Sequence, residues 1–299
     1  MKSQKLKSNF FLLLAAAIWG LAFVAQRVSV KYLGSFSYNG IRFALGSISV
    51  IPLIILFGRK NGKVQGNGFK LAVPLGIIAG TVLFIAASLQ QIGLKDTSAG
   101  KAAFITGFYI VLVPVIGIFL KQYTRISTWI GVFTALVGLY FLSVTGDFTI
   151  ATGDLYELGG AFFWSIHILV IDNFTKRVDT FKLSFVQFVV CSVLSLIIAL
   201  IFEKITLDGI MQALIPLVYG GILSVGGAYT LQALGQKHAE PAHAAVILSL
   251  ETVFASIGGL IILNENLGLR GYIGCAFMLS GMFLSQLQNF TKNKTHSLK

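Results

Sequence analysis

Ten stretches of about 18 to 22 mostly apolar residues recur along this chain, separated by short polar links. A run of that length spans the hydrocarbon core of a bilayer as an α-helix. They lie at roughly 9–26, 37–57, 70–91, 99–120, 127–144, 155–172, 183–202, 211–232, 242–263 and 270–287. Of the 299 residues 56% are hydrophobic and 11% charged, whereas an ordinary soluble domain carries about 25% charged residues. The chain therefore reads as an all-α integral membrane protein. The links leave no room for an inserted nucleotide-binding or regulatory domain. Lys2, Lys5 and Lys7 before the first run resemble the start of a signal peptide. The absence of a cleavage-site pattern and the nine runs that follow make it an uncleaved anchor.

The net charge of +12 does not point to nucleic acid, because the basic residues sit in the links. With the N-terminus inside, 16 of the 23 Lys and Arg fall on inside segments and 6 outside, with Arg42 within a span. That bias places both termini in the cytoplasm of a cell-membrane protein and requires an even number of spans. These basic residues in the links read as topology signals and as contacts for anionic lipid. Cys191 and Cys275 both lie in apolar runs and form no disulfide framework or metal-type spacing.

The chain repeats itself. Ala17-Ile18-Trp19-Gly20 aligns with Phe162-Phe163-Trp164-Ser165 at an offset of 145, and Arg42-Phe43 then meets Gln187-Phe188. At an offset of 142, Leu89-Gln90 meets Leu231-Gln232 and Ala102–Ile105 meets Ala244–Ile247. At 143, Ile130-Gly131 meets Ile273-Gly274 and Gly138 meets Gly281. Residues 1–146 and 147–288 are thus two related halves, followed by a basic tail at 289–299. Five spans is an odd number, so the second half enters the membrane from the opposite side. Inverted repeats of this kind build many secondary transporters.

Glu251, near the middle of the ninth run, is the one carboxylate expected deep inside a span. A carboxylate there must face protein or water. It is either a site for a proton or a substrate ammonium, since carboxylates in low dielectric exchange protons readily, or a hydrogen-bonded strut between helices. Its repeat mate is Tyr109, which is placed either to face it across a cavity or to pack at a helix interface. Arg42 is a candidate charge partner for Glu251, a contact for an anionic substrate, or a residue that snorkels to headgroups. Trp19 and Trp164 lie within their spans rather than at the interface, where indole faces suit stacking on a substrate or cation, or simple packing. His167, one turn from Trp164, is a candidate relay. His243 shares a helical face with Ile247 and Glu251; about 12 Å of rise separates the ends, so it would serve only as an access path. Gln26, Gln90, Gln91 and Gln232 need partners in the membrane, and the repeat-related Gln90 and Gln232 are favoured as cavity lining. Gly76 with Gly80, and Gly220-Gly221 with Gly226-Gly227, signal close helix packing.

The segments AAAIWGLAFVAQR at 15–27, SAGKAAFITGFYIVLVPVIG at 98–117 and EPAHAAVILSLETVFASIGGLIILNENLGLRGYIGCAFMLSGMFLS at 240–285 resemble the drug/metabolite transporter superfamily, specifically its EamA-type ten-helix members. Leu250-Glu251-Thr252-Val253 departs from the family's Leu-Glu-Pro-Val, so no proline marks a kink at Thr252. Asn264-Glu265 keeps only the Glu of a common Gly-Glu pair. The resemblance implies a cavity between the repeats, lined by the first four spans of each. The fifth and tenth would be peripheral and a place for homodimer contact. It also implies a secondary transporter of small organic metabolites such as amino acids, often outward, by alternating access and with proton coupling as an option. A lipid or lipid-linked-sugar flippase of the same fold is the alternative. Walker A, Gly-x-Ser-x-Gly and His-Glu-x-x-His patterns are absent; no enzyme, cofactor or metal is expected.

Overall fold

The computed structural model describes residues 2–57, 68–97, 99–143, 151–262 and 268–295. Every regular element among them is helical. The first half comprises α1 (Lys2–Ser29), α2 (Ser35–Phe57), α3 (Gly68–Gly93), α4 (Ala99–Thr106), α5 (Tyr109–Phe119) and α6 (Ile126–Ser143). The second comprises α7 (Thr152–Phe174), α8 (Thr180–Phe202), α9 (Leu207–Gln212), α10 (Leu214–Val218), a π-helical segment (Tyr219–Tyr229), α11 (Thr230–Gln236), α12 (Pro241–Leu248), α13 (Glu251–Ile262) and α14 (Gly268–Thr295). Eight spans within the described residues are long and apolar enough to cross a membrane. The shorter apolar α6 lies against α14, which completes the ten-helix architecture. Residues 263–267, including Asn264-Glu265, lie outside the described residues.

The two halves interlock. Mates α2 and α8 pack against each other, as do mates α6 and α14. α1 packs on the π segment, α11 and both pieces of the ninth span, while α7 packs on α3, α4 and α5. Exchanging each helix for its mate reproduces the same contact pattern, which is the signature of a pseudo-two-fold axis in the membrane plane. Small residues allow these approaches. A Cβ on Gly46 or Gly221 would collide with Val225 or Leu45, and one on Gly76 or Gly80 with Val186 or Val190. The glycines singled out in the sequence are thus the points where α2 meets the eighth span and α3 meets α8.

Three spans depart from the continuous helices expected. The fourth breaks at Gly107-Phe108 and the ninth at Ser249-Leu250, an offset of 142 in both cases. Each break is a tightened turn. Phe108 N donates to Ile105 O and Ile110 N to Gly107 O; Leu250 N donates to Ile247 O and Thr252 N to Ser249 O. Such i→i−3 bonds tighten the helix locally. No proline is needed: the Ser249 hydroxyl donates to Val246 O, and the Thr252 hydroxyl donates across to Ala103 O of α4. Side-chain competition for helix carbonyls therefore stands in for the family's proline. The eighth span is shifted to Leu214–Gln236 and widens into the π segment. Its four glycines let the backbone take an extra residue per turn while lying close on α2.

α6 and α14 cross on glycine pairs. A Cβ on Gly131 would meet Gly281 O at 2.6 Å, and one on Gly138 would meet Gly274 O at 2.6 Å. Gly138→Leu is expected to cost about 1–3 kcal/mol through overpacking, read as a lowered thermal midpoint in detergent. Gly100→Ala, where nothing lies within 4 Å, is expected to leave the midpoint nearly unchanged.

Candidate functional site

Where the two broken spans meet, the structure leaves a narrow cavity, with about 440 Å³ of non-atom space counting what is open to solvent and about 30 Å³ that admits the centre of a water-sized sphere. α1 contributes Trp19, Phe23 and Gln26, α2 contributes Arg42, and α3 contributes Gln90. Thr106 ends α4 and Leu248 ends α12, while Tyr109 and Glu251 begin α5 and α13. Trp164 and Ile168 of α7, Ser224 and Tyr229 of the π segment, and Gln232 of α11 complete the wall. None of the lining comes from α6 or α14. Much of it is repeat-related: Trp19 with Trp164, Phe23 with Ile168, Gln90 with Gln232, Thr106 with Leu248, and Tyr109 with Glu251. The cavity therefore straddles the pseudo-two-fold axis.

The two helix breaks set its centre. Each delivers a polar side chain at the first residue of a half-helix, where the positive end of the helix dipole favours negative charge. There the Tyr109 hydroxyl donates to Glu251 Oε1 at 3.0 Å. Both residues are almost wholly buried. Above them Tyr229 is packed between the two indoles, 4.7 Å from Trp19 and 5.9 Å from Trp164 by ring centroids, nearly parallel to the latter. Phe43 and its mate Phe188 back this aromatic wall.

Arg42 lines the same cavity and is 1% exposed. Its Nε donates to Asn39 Oδ1 at 3.0 Å, and Asn39 is itself anchored by donating to Ala87 O. The guanidinium rests on the rings of Tyr38 and Phe43. Among the described residues it makes no ion pair with Glu251, and its Nη2 has no hydrogen-bond partner. The pairing of Arg42 with Glu251 weighed from the sequence is therefore not made in this state. The indole N–H groups of Trp19 and Trp164 and the amide oxygens of Gln26 and Gln232 are likewise buried without partners. Unpartnered donors and acceptors at such density are rare in a finished core; here they line empty space.

The two histidines lie elsewhere. His167 is behind the wall, with Nε2 3.0 Å from Gln187 Oε1 and its ring edge-on to Trp164 and Tyr229. It props the aromatic group rather than lining the cavity. His243 sits at the far end of α12, between Asn9 Oδ1 and Ser285 Oγ, each at 3.1 Å. The break at Ser249-Leu250 interrupts the helical face that would have aligned it with Glu251. Polar ties link the repeats at both ends of the bundle. At one, Lys101 bonds Asp154 at 2.6 Å, Thr97 donates to the same carboxylate, and Arg27 donates to Leu94 O. At the other, His243 joins Asn9, and Arg125 pairs with Glu240 at 2.9 Å. Lys101 and His243 are repeat mates, as are Asp154 and Asn9, so the two ties are images of one another.

This architecture is shared. The sequence profile of the EamA-like transporter family matches residues 6–144 and again 151–287. The chain belongs to the EamA-like transporter family. A transporter of Archaeoglobus fulgidus, described as uncharacterized, is 29% identical over 286 residues, covering 95% of this chain and 87% of its own length. YoaV of Bacillus subtilis, also described as an uncharacterized transporter, is 22% identical over 283 residues, with 93% and 95% covered. A crystal structure at 19% identity superposes with a TM-score of 0.77 over 94% of this chain and 98% of that one, a likeness of fold. This EamA protein is thus a multi-pass membrane transporter.

The expectation that Glu251 is the one deep carboxylate is corrected. α7 begins at Thr152, earlier than the expected 155, which brings Asp154 into the helix and moves the fully buried Glu157 nearly a turn further from its start. Asp172, near its other end, is also buried. The signal for Glu157 was available: it lies seven residues before Trp164, on the same helical face. Tyr229, Thr106 and Ser224 were also missed, since an aromatic or hydroxyl residue in an apolar run carries no sign of which way it points.

Removing the Tyr109 hydroxyl leaves a buried carboxylate without its bond, at an expected cost of about 1–3 kcal/mol. In a double-mutant cycle of thermal melts, Tyr109→Phe should cost clearly less in a Glu251→Leu background than in the wild type.

Proposed function

We propose that this transporter carries a small zwitterion of the amino-acid type by alternating access, outward across the cell membrane and coupled to protons through Glu251. The observation that supports this reading is the buried Arg42 with its unpartnered Nη2 in the same cavity as Glu251. A substrate carboxylate fits the guanidinium and the free indole N–H groups, because charge-assisted bonds in low dielectric are strong and orienting. Its ammonium fits Glu251 and the faces of Trp19, Trp164 and Tyr229. The remaining wall, Phe23, Ile168 and Leu248, suits an apolar side chain. Substrate ammonium and proton would compete for one carboxylate, which is an elementary way to exchange one for the other. The rocking of one repeat against the other would break one end tie and keep its image. The excess of basic residues on one side supports cytoplasmic termini.

The test uses purified protein in liposomes with an internal pH dye and a panel of amino acids. A zwitterionic amino acid should drive proton movement, lost in Glu251→Gln. Arg42→Gln should raise the half-saturating concentration at least tenfold for the amino acid and much less for its decarboxylated amine. Equal effects on both would remove Arg42 as the carboxylate contact. Of the three tryptophans, Trp19 and Trp164 should report binding: substrate-dependent fluorescence should persist in Trp129→Phe and fall in Trp19→Phe or Trp164→Phe.

A further inference from the structure

Glu157 takes no part in the substrate contacts above. It lies fully buried on α7, two turns from Trp164. The Thr106 hydroxyl donates to its Oε2 at 3.0 Å, and Oε1 has no partner. Among the described residues no cation pairs with it. The charged and titratable groups around it are Asp154 one turn nearer the end of the bundle, tied to Lys101 of α4; Asp96 just beyond α3, against Gly153 of the same turn; and Glu251, with which it interacts electrostatically and which carries the Tyr109 hydroxyl. A lone carboxylate in a membrane interior is costly to keep, so its presence asks for a use.

The repeat gives the second observation. Thr106 also accepts a bond from Gln90 Nε2 at 3.4 Å, which makes a polar track of Glu157, Thr106 and Gln90 from the α7 end to the cavity. The repeat mates of these residues are Leu12, Leu248 and Gln232. Leu12 and Leu248 are fully buried in the core. One side of the cavity is thus sealed by two leucines where the other carries a carboxylate and a hydroxyl. Packing alone would be served by leucine on both sides.

We propose that Glu157 is a second proton site of the transporter, exchanging protons with the solution at the α7 end and passing them through Thr106 to the cavity. This rests on the proton-coupled reading of Glu251. One proton moves from water to the Glu157 carboxylate when the Lys101–Asp154 tie opens. Glu157 then gives its proton to the Thr106 oxygen as Thr106 releases its own hydroxyl proton toward the cavity, where the Glu251 carboxylate accepts it. No bond between heavy atoms changes. The leucines confine this exchange to one side of the membrane.

The experiment compares wild type, Glu157→Gln, Thr106→Val and Thr106→Ser in the same liposomes. It measures solute-driven proton movement, the dependence of uptake on external pH, and solute-for-solute exchange, in which no net proton crosses. Glu157→Gln should lose at least tenfold in proton movement and flatten the pH dependence while exchange persists. Thr106→Val should shift both in the same direction, and Thr106→Ser should restore them. Proton movement in Glu157→Gln at the wild-type level would overturn the proposal while leaving Glu251 coupling intact. So would loss of exchange together with proton movement in Glu157→Gln, or equal behaviour of the Val and Ser variants. A wild type that moves solute without protons would sink the coupled reading and this proposal together.

Discussion

The hydrogen bond from Tyr109 to Glu251 is the contact on which the centre of this structure depends. It joins the first residues of two half-helices that belong to different repeats, and both half-helices exist because their spans are broken one residue or two earlier. A continuous helix would place no half-helix terminus, and no dipole end, at mid-membrane beside a carboxylate. The break, the polar residue and the cavity are one feature. It is held from outside by the Thr252 hydroxyl on Ala103 O, a second tie between the same two spans.

Around that contact the repeat supplies symmetry of position and withholds symmetry of chemistry. Tryptophan faces tryptophan and glutamine faces glutamine, but glutamate faces tyrosine, arginine is matched by glutamine, and the Glu157–Thr106 pair by two leucines. Related backbones give the two ends of the cavity nearly equal geometry, which the alternating access proposed above would use. The differences in side chain give each end its own chemistry. The end ties follow the same rule: a Lys101–Asp154 ion pair at one end, a His243–Asn9 hydrogen bond as its image at the other.

How much of this was legible beforehand follows from what a membrane does to a sequence. The bilayer forbids unpaired backbone, so span number and repeat could be read from apolar run length and offsets, and the family from the resemblance of three segments. Trp19, Gln90, Tyr109, Trp164, Gln232 and Glu251 were legible because polar or aromatic residues recurring at one offset imply a shared axis, and that axis is where the cavity lies. The helix breaks were hidden, since hydroxyls at Ser249 and Thr252 do locally what a proline would have announced. Glu157 was hidden by a helix boundary: a start at residue 155 makes it an end residue, while a start at Thr152 makes it interior. His243 was misplaced because a helical wheel assumes an unbroken helix.

The glycine crossing of α6 and α14 has a consequence for assembly. Gly131 abuts Gly281 and Gly138 abuts Gly274, and each contact is the image of the other. The two halves therefore meet as the subunits of an isologous dimer do, each offering the surface the other needs. Carried on one chain, that association no longer depends on how many copies the membrane holds; the linker fixes the effective concentration. Each half is also free to accumulate substitutions that its partner does not share, because the pairing is enforced by connectivity. A carboxylate on one side and a leucine on the other is a difference that two identical subunits could not have held.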